Sequence, residues 1–185
     1  MSSDTHTRLY TRLGDNGKTY CIITGERVSK SHPCIEFVGV LDEAEAWLGF
    51  AASLVPERFE EVKKDLDWMQ SLLFRIGFSL SGELCVEESD VKELERITDK
   101  YSEALEPLFT LNGGHPAAAA ISIARTVVRR LERRLAACLD KGVSSEHNLL
   151  RYMAIINRMS DALYAMSIWL NKKLGIKVRF IKSCR

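Results

Sequence analysis

The feature that most constrains this chain is a succession of long stretches, each of about twenty residues, in which apolar side chains recur at helical spacing and almost no strand pattern intervenes. Val38, Leu41, Trp47, Leu48 and Ala51 predict a first helix over about 35–55, stopped near Pro56, whose ring cannot continue the hydrogen-bond ladder. Phe59, Val62, Leu66, Met69, Leu73 and Ile76 predict a second, ending around Gly82. Val91, Leu94, Ile97, Tyr101 and Leu105 predict a third, capped by Ser89 or Asp90. A fourth starts at Pro116 and ends near Gly142, and a fifth runs from about Ser145 to Lys173 with Leu149, Met153, Ile156, Met159, Leu163, Met166 and Leu170 on one side. Such helices, joined by short connections, bury their apolar stripes against one another, so the fold class is all-α: a five-helix antiparallel bundle. A single domain spans 1–185, with a short glycine-containing N-terminal segment at about 8–33 and the bundle at about 35–175. The tail from Val178 to Lys182 reads as a short strand or an arm.

Charge narrows the partners. With 26 Lys and Arg against 25 Asp and Glu, the formal net charge is +1, too balanced for a general nucleic-acid binder; a polyanion contact should be a local pocket for a small ligand. Basic residues nonetheless crowd the fourth helix. Arg125, Arg129 and Arg133 fall at i, i+4 and i+8 beside an apolar seam of Ile121, Ala124, Val128, Leu131, Leu135 and Cys138, with Arg130 and Arg134 interleaved. Such a stripe is either a solvated face with occasional ion pairs or a cradle for phosphate, because each guanidinium is permanently charged and presents forked donors.

The N-terminal segment holds a second cluster. Gly17-Lys18-Thr19 invites a P-loop reading, but GxxxxGK[ST] requires glycine where the chain has Arg12, and no hydrophobic strand precedes it. What remains is a turn with Gly14, Asp15, Gly17, threonines and Lys18, either a hairpin or a flexible loop that wraps a triphosphate; Lys30 is a second phosphate cation or a surface lysine. In the last helix Asn157 and Asp161 lie one turn apart and either face solvent, join an interhelical network or meet a ligand. Asp42 and Glu43 favour a helix N-terminus, unless Asp42 anchors an arginine of the stripe. The five cysteines (Cys21, Cys34, Cys85, Cys138, Cys184) form no CxxC pair and the histidines no zinc spacing, which predicts reduced thiols and no structural metal. No signal-peptide pattern and no spanning apolar run is present, so a cytoplasmic protein without membrane contact is expected.

Taken together, Tyr10-Thr-Arg-x-Gly-Asp-x-Gly-x-Thr19, Gly25-Glu-Arg-Val-x-Lys30, Gly39-x-x-Asp-Glu43, Gly113-Gly114, Ala124-Arg-Thr-x-x-Arg-Arg-x-Glu-Arg133 and Asn157-Arg-x-Ser-Asp161 resemble the PduO-type ATP:cob(I)alamin adenosyltransferases over about residues 8–170. The resemblance implies a homotrimer of five-helix bundles with sites between subunits, which transfers the 5′-deoxyadenosyl group of ATP to the cobalt of a reduced corrinoid and releases triphosphate. A noncatalytic carrier or regulator that binds ATP and corrinoid on the same fold is the alternative. The resemblance further implies that Thr11, Arg12, Gly14, Asp15, Gly17, Thr19 and Lys30 wrap the triphosphate, with Mg2+ bridging phosphates through protein ligands that stay unassigned. Arg129, Glu132, Arg133 and Asn157 would hold the nucleotide from the helices, and Arg125 would pair with Asp42 of a neighbouring subunit. Phe109 would cover the lower face of cobalt, unless it merely plugs the bundle end; Arg129, Phe109 and Arg125 are thus the residues expected nearest the chemistry. A reductase and an adenosylcobalamin-dependent mutase are the implied partners. The chain differs from the family pattern at Cys34, at Ala44-Glu45, at Asn112 and at Ser122, changes that bear on corrinoid preference and the interface.

Overall fold

The computed structural model describes residues 10–103, 105–106, 108–141 and 146–181; Gly142, Ser145, Lys182 and Cys184, which carry expectations above, lie outside the described residues. The elements run β1 (Lys18–Cys21), β2 (Glu26–Ser29), α1 (Pro33–Ser53), α2 (Glu60–Ser79), α3 (Glu88–Ser102), β3 (Phe109–Thr110), α4 (Pro116–Leu139), α5 (Glu146–Lys173) and β4 (Phe180–Ile181), with a 3-10 turn at Glu57–Phe59 before α2. The strands form two antiparallel pairs, β1 with β2 and β3 with β4.

α1 and α4 begin in the same way. His32 and His115 are their N-caps, each ring Nδ1 accepting a backbone N–H two residues on at 3.2 Å, and Pro33 and Pro116 follow in the first turn, where a missing N–H leaves nothing unsatisfied. α3 starts earlier than expected. Its cap is Glu87, not Ser89 or Asp90: Glu87 accepts the Asp90 N–H while Asp90 Oδ2 accepts the Glu87 N–H at 2.8 Å, a reciprocal capping box. Asp90 is fixed at the third helical position because Arg75 of α2 grips both its oxygens, at 2.6 and 3.1 Å. Leu105 lies beyond α3, which ends at Ser102.

α1 packs most extensively against α4, α4 against α5, α3 against α5, and α2 against α1. Arg75–Asp90 and Lys100–Asp65 join α2 to α3 and close the ring. Glu36–Arg134 and Glu43–Arg130 show that α1 and α4 run in opposite directions, as Glu132–Asn157, Arg125–Tyr164 and His115–Asn171 together show for α4 and α5. The pairs Val86–Arg151, Glu95–Arg158 and Glu103–Trp169 advance together, so α3 and α5 run parallel. The bundle is therefore antiparallel except at one contact, as it must be: a closed ring with an odd number of helices cannot alternate throughout. The core is continuous, with Phe37, Leu48, Leu66, Met69, Ile76, Leu94, Ile97, Ile121 and Tyr152 fully buried. Tyr101 is buried too, and its hydroxyl donates to Asp65 at 2.6 Å; burial, then that carboxylate, pushes the phenol pKa up. Among the described residues, no helix is long and apolar enough to cross a membrane.

The thiol expectation is corrected. Cys34 at the start of α1 and Cys138 at the end of α4 form a disulfide across a sequence separation of 104, both side chains fully buried. A search for local CxxC spacing misses this pair because only antiparallel packing of α1 on α4 brings it together. Cys21 and Cys85 are free.

Candidate functional site

The N-terminal cluster is a hairpin with a turn preceding it. Gly17 enters β1 at φ 77°, a left-handed conformation that suits glycine, and its carbonyl accepts the Lys30 N–H at 2.9 Å. The Lys30 ammonium returns to the same turn, where a Cβ on Gly14 would lie 3.3 Å from Nζ. Gly14, Gly17 and Lys30 are thus brought together by folding. Arg12 holds φ 61°, which costs a non-glycine residue about 1 to 2 kcal/mol, and such conformations concentrate where the chain serves a ligand. Thr11, Arg12, Asp15 and Lys18 are exposed and Thr19 is half-buried. The sequence reading missed two residues that shape the turn. Arg27 donates to the carbonyls of Leu13 (2.6 Å) and Lys18 (3.3 Å), and Asn16 Oδ1 accepts the Lys18 N–H. Arg27 lies inside the quoted Gly25–Lys30 motif, but only the hairpin reveals that it faces backward onto residue 13.

α4 sorts its arginines by stripe. Arg130 and Arg134 form ion pairs with Glu43 and Glu36 of α1. Arg125, Arg129 and Arg133, one stripe over, have no carboxylate partner among the described residues, while Arg133 donates back to the Arg129 carbonyl at 2.8 Å. Arg125 lies over the Tyr164 ring, 5.1 Å from its centroid. Burial, then the like charge of Arg129, lowers the Arg125 pKa, opposed by Tyr164 and Asp161. Facing this row from α5, Asn157 donates to Glu132 Oε1 at 2.9 Å and accepts from Arg158 at 2.8 Å. The interhelical network and the row are therefore contiguous. The result is a cationic surface whose charges are not neutralised by ion pairs among the described residues.

A third group stands at the end of the bundle where α4 begins. Phe109 is 78% exposed on β3, which rules out the plug reading, and β4 pairs with it, Phe109 opposite Ile181. Within the described residues the tail is therefore an arm that carries a short strand. Next to Phe109, Thr110 reaches the Tyr164 hydroxyl at 3.4 Å. Tyr164 thus lies between the Phe109 segment and Arg125. Missed by the sequence reading is Asn171, whose side chain bonds Gly113 and His115.

Two expected associations are not made within one chain. No hydrogen bond or ion pair among the described residues joins residues 10–31 to Arg125, Arg129, Glu132, Arg133 or Asn157. Asp42 is exposed at the rim of a shallow apolar depression of about 150 Å³ lined by Leu41, Leu73, Phe74 and Gly77, and it pairs with no described cation, Arg125 included. The positions that depart from the family pattern are all accommodated. Cys34 is in the disulfide, Glu45 accepts from Gln70, Ser122 is buried and donates to the Ala118 carbonyl at 2.9 Å, and Asn112 lies in the glycine loop.

Fold and site define a class: a helical bundle carrying a glycine-and-lysine turn and a separate row of unpaired arginines, both suited to phosphate. The family model for cobalamin adenosyltransferase matches residues 9–170, and the chain belongs to that family. Corrinoid adenosyltransferase MMAB of Mus musculus is 32% identical, with 95% of this chain and 77% of that protein aligned. A corrinoid adenosyltransferase of Citrobacter freundii is 34% identical over 86% of this chain and 93% of its own length. PduO of Salmonella typhimurium is 36% identical, and this chain spans 48% of it. Among solved structures, a variant PduO-type ATP:corrinoid adenosyltransferase from Lactobacillus reuteri, complexed with cobalamin and ATP, superposes with a TM-score of 0.84 at 26% identity, covering 95% of this chain and 97% of that one.

Proposed function

We propose that this chain transfers the 5′-deoxyadenosyl group of ATP to the cobalt of a reduced corrinoid such as cob(I)alamin, forming adenosylcobalamin and releasing triphosphate. The observation that carries the reading is the unpaired row of Arg125, Arg129 and Arg133 beside the Glu132–Asn157 contact, on a chain whose N-terminal turn gathers Gly14, Gly17 and Lys30. In the reaction the cobalt lone pair attacks C5′, a Co–C bond forms, the C5′–O bond breaks, and its electron pair departs with triphosphate. Cobalt is the nucleophile, so no general base is needed; the protein positions C5′, stabilises the leaving group and excludes water. Thr11, Arg12, Gly14, Asp15, Gly17, Thr19 and Lys30 wrap the triphosphate. Arg129, Glu132, Arg133 and Asn157 hold the nucleotide from α4 and α5, and Phe109 covers the lower face of the corrinoid.

Mg2+ arrives with ATP. Among the described residues no group of three His, Cys, Asp or Glu side chains could cage a metal. The turn offers Asp15 alone, which fits a cation that keeps phosphate and water ligands. The active unit is a homotrimer in which the N-terminal turn of one copy meets the α4 arginines of another; the absence of a bond between those groups among the described residues of one chain supports this, as does an Asp42 and an Arg125 that each lack an opposite partner there. A cytoplasmic location, a reductase that supplies Co(I) and a mutase that receives the product complete the proposal. The test is incubation with ATP, Mg2+ and chemically reduced cobalamin, followed by the absorption of the light-sensitive cobalt–carbon product and by triphosphate release. Both products in equal amounts are expected; binding of ATP and corrinoid without triphosphate release would select the carrier reading.

A further inference from the structure

The described residues at the α4 start form a clamp that the transfer reading does not use. Asn171, two residues before the end of α5, is 8% exposed, and both ends of its carboxamide bond the glycine loop: Oδ1 accepts the His115 N–H at 2.9 Å and Nδ2 donates to the Gly113 carbonyl at 2.8 Å. Gly114, at φ 97°, lies so close that a Cβ there would fall 2.3 Å from Oδ1. The Asn171 carbonyl also accepts the Ile176 N–H at 2.9 Å, which turns the chain at Gly175 into the C-terminal arm. That arm returns to the same loop, where the Arg179 carbonyl accepts the Leu111 N–H at 2.9 Å and β4 pairs with β3. One residue therefore fixes the loop from the His115 side through its side chain and launches the strand that fixes it from the Phe109 side.

α5 also carries Tyr164, which touches Thr110 and underlies Arg125, so the loop and the arginine row are referenced to one rigid helix. We propose that Asn171 is a positioning residue of the transfer site: without touching substrate, it sets where Phe109 stands relative to Arg125 by holding Gly113, Gly114 and His115. This rests on the reading of Phe109 as the residue covering cobalt. The loop needs such a fixture because its glycines, at φ 131° and 97°, confer no rigidity of their own and Phe109 itself is exposed.

The experiment compares wild type, Asn171→Ala, Asn171→Asp, Phe109→Ala and the double variant Phe109→Ala/Asn171→Ala, each first shown to be folded by circular dichroism. Asn171→Asp keeps an acceptor for His115 but loses the donor to Gly113, and guards against a poorly folded alanine variant. Amide hydrogen exchange over residues 109–115 should speed up in both Asn171 variants, more in the alanine. The KM for ATP should stay within about twofold of wild type, while kcat for cobalt–carbon bond formation falls about ten- to a hundredfold in Asn171→Ala and less in Asn171→Asp, the scale expected for a displaced positioning element. In the Phe109→Ala background, removing Asn171 should change kcat by less than about twofold, because both changes act through the same ring. Unchanged exchange, unchanged kcat, or effects that multiply in the double variant would overturn the proposal while Phe109→Ala alone remains impaired. Full turnover in Phe109→Ala would instead overturn the Phe109 reading, and this inference with it.

Discussion

At the scale of single residues, the site divides into cations that already have partners and cations that do not. Arg130 and Arg134 are neutralised by Glu43 and Glu36; the Arg134–Glu36 pair is largely solvated and worth little, whereas the Arg130–Glu43 pair is half-buried. Arg129 and Lys30 have no carboxylate partner among the described residues, and each is free to meet phosphate. Arg129→Ala and, separately, Lys30→Ala should weaken ATP binding by about 1.5 to 3 kcal/mol, the loss of one charge-assisted hydrogen bond, with circular dichroism unchanged. Calorimetric titration with ATP measures this, and equal affinity in either variant removes that residue from the site. Phe109 is the counterpart proposed for the corrinoid side. Because its ring is 78% exposed, Phe109→Ala should shift stability by no more than about 0.5 kcal/mol, as ordinary surface substitutions do, and keep its ATP affinity. Turnover should nevertheless fall, most of all when the assay begins from Co(II). An electron paramagnetic resonance spectrum of bound Co(II)alamin with ATP should lose its reduced-coordination signal in the variant; an undiminished signal would remove Phe109 from the cobalt site.

At the scale of elements, what binds α1 to α4 is part hydrophobic seam and part covalent. The Cys34–Cys138 bond closes a loop of 104 residues, for which chain-entropy reasoning gives a stabilisation of about 4 to 5 kcal/mol. Cys34→Ser, or reduction under denaturant, should therefore lower the urea midpoint and raise the slope of the transition, because the denatured chain without the cross-link expands and exposes more surface; an unshifted midpoint would show that the bond adds nothing in solution. That bond also marks what a linear reading can reach. Helix existence, order and most boundaries follow from apolar spacing, Pro56, Pro116 and Gly175, because those signals are local. The cap of α3 falls at Glu87 because Arg75 holds Asp90, the α3–α5 contact is parallel because a ring of five cannot alternate, and the disulfide joins residues 104 apart in sequence. Each of these depends on packing between segments distant in sequence. The site divides the same way: the Arg125–Arg129–Arg133 periodicity is visible as text, whereas Arg27 and Asn171 look like ordinary surface and core-edge residues until the hairpin and the glycine loop are folded against them.

At the scale of the whole molecule, the chain presents its cationic groups at separate places. The hairpin enters α1 beside Cys34, hence at the C-terminal end of α4, whereas Phe109 and Asn171 stand at the N-terminal end of α4, a helix of 24 residues that is about 36 Å long. A turn proposed to wrap triphosphate and a ring proposed to cover the corrinoid, so arranged, are most simply united by a second copy. The surface is suited to one: Asp42 is exposed beside Phe74, which is itself 53% exposed, and Arg125 carries a charge that burial already disfavours and that an acidic partner would relieve. If Asp42 of one copy meets Arg125 of the next, Asp42→Arg and Arg125→Asp should each lower activity and shift sedimentation toward smaller species. The double reversal restores opposite charges at the contact and should recover part of both, because the coupling term of the cycle reports the pair itself. Single variants that sediment like wild type, or a double variant no better than either single one, would separate these residues from the interface and leave the union of turn and arginine row to some other contact.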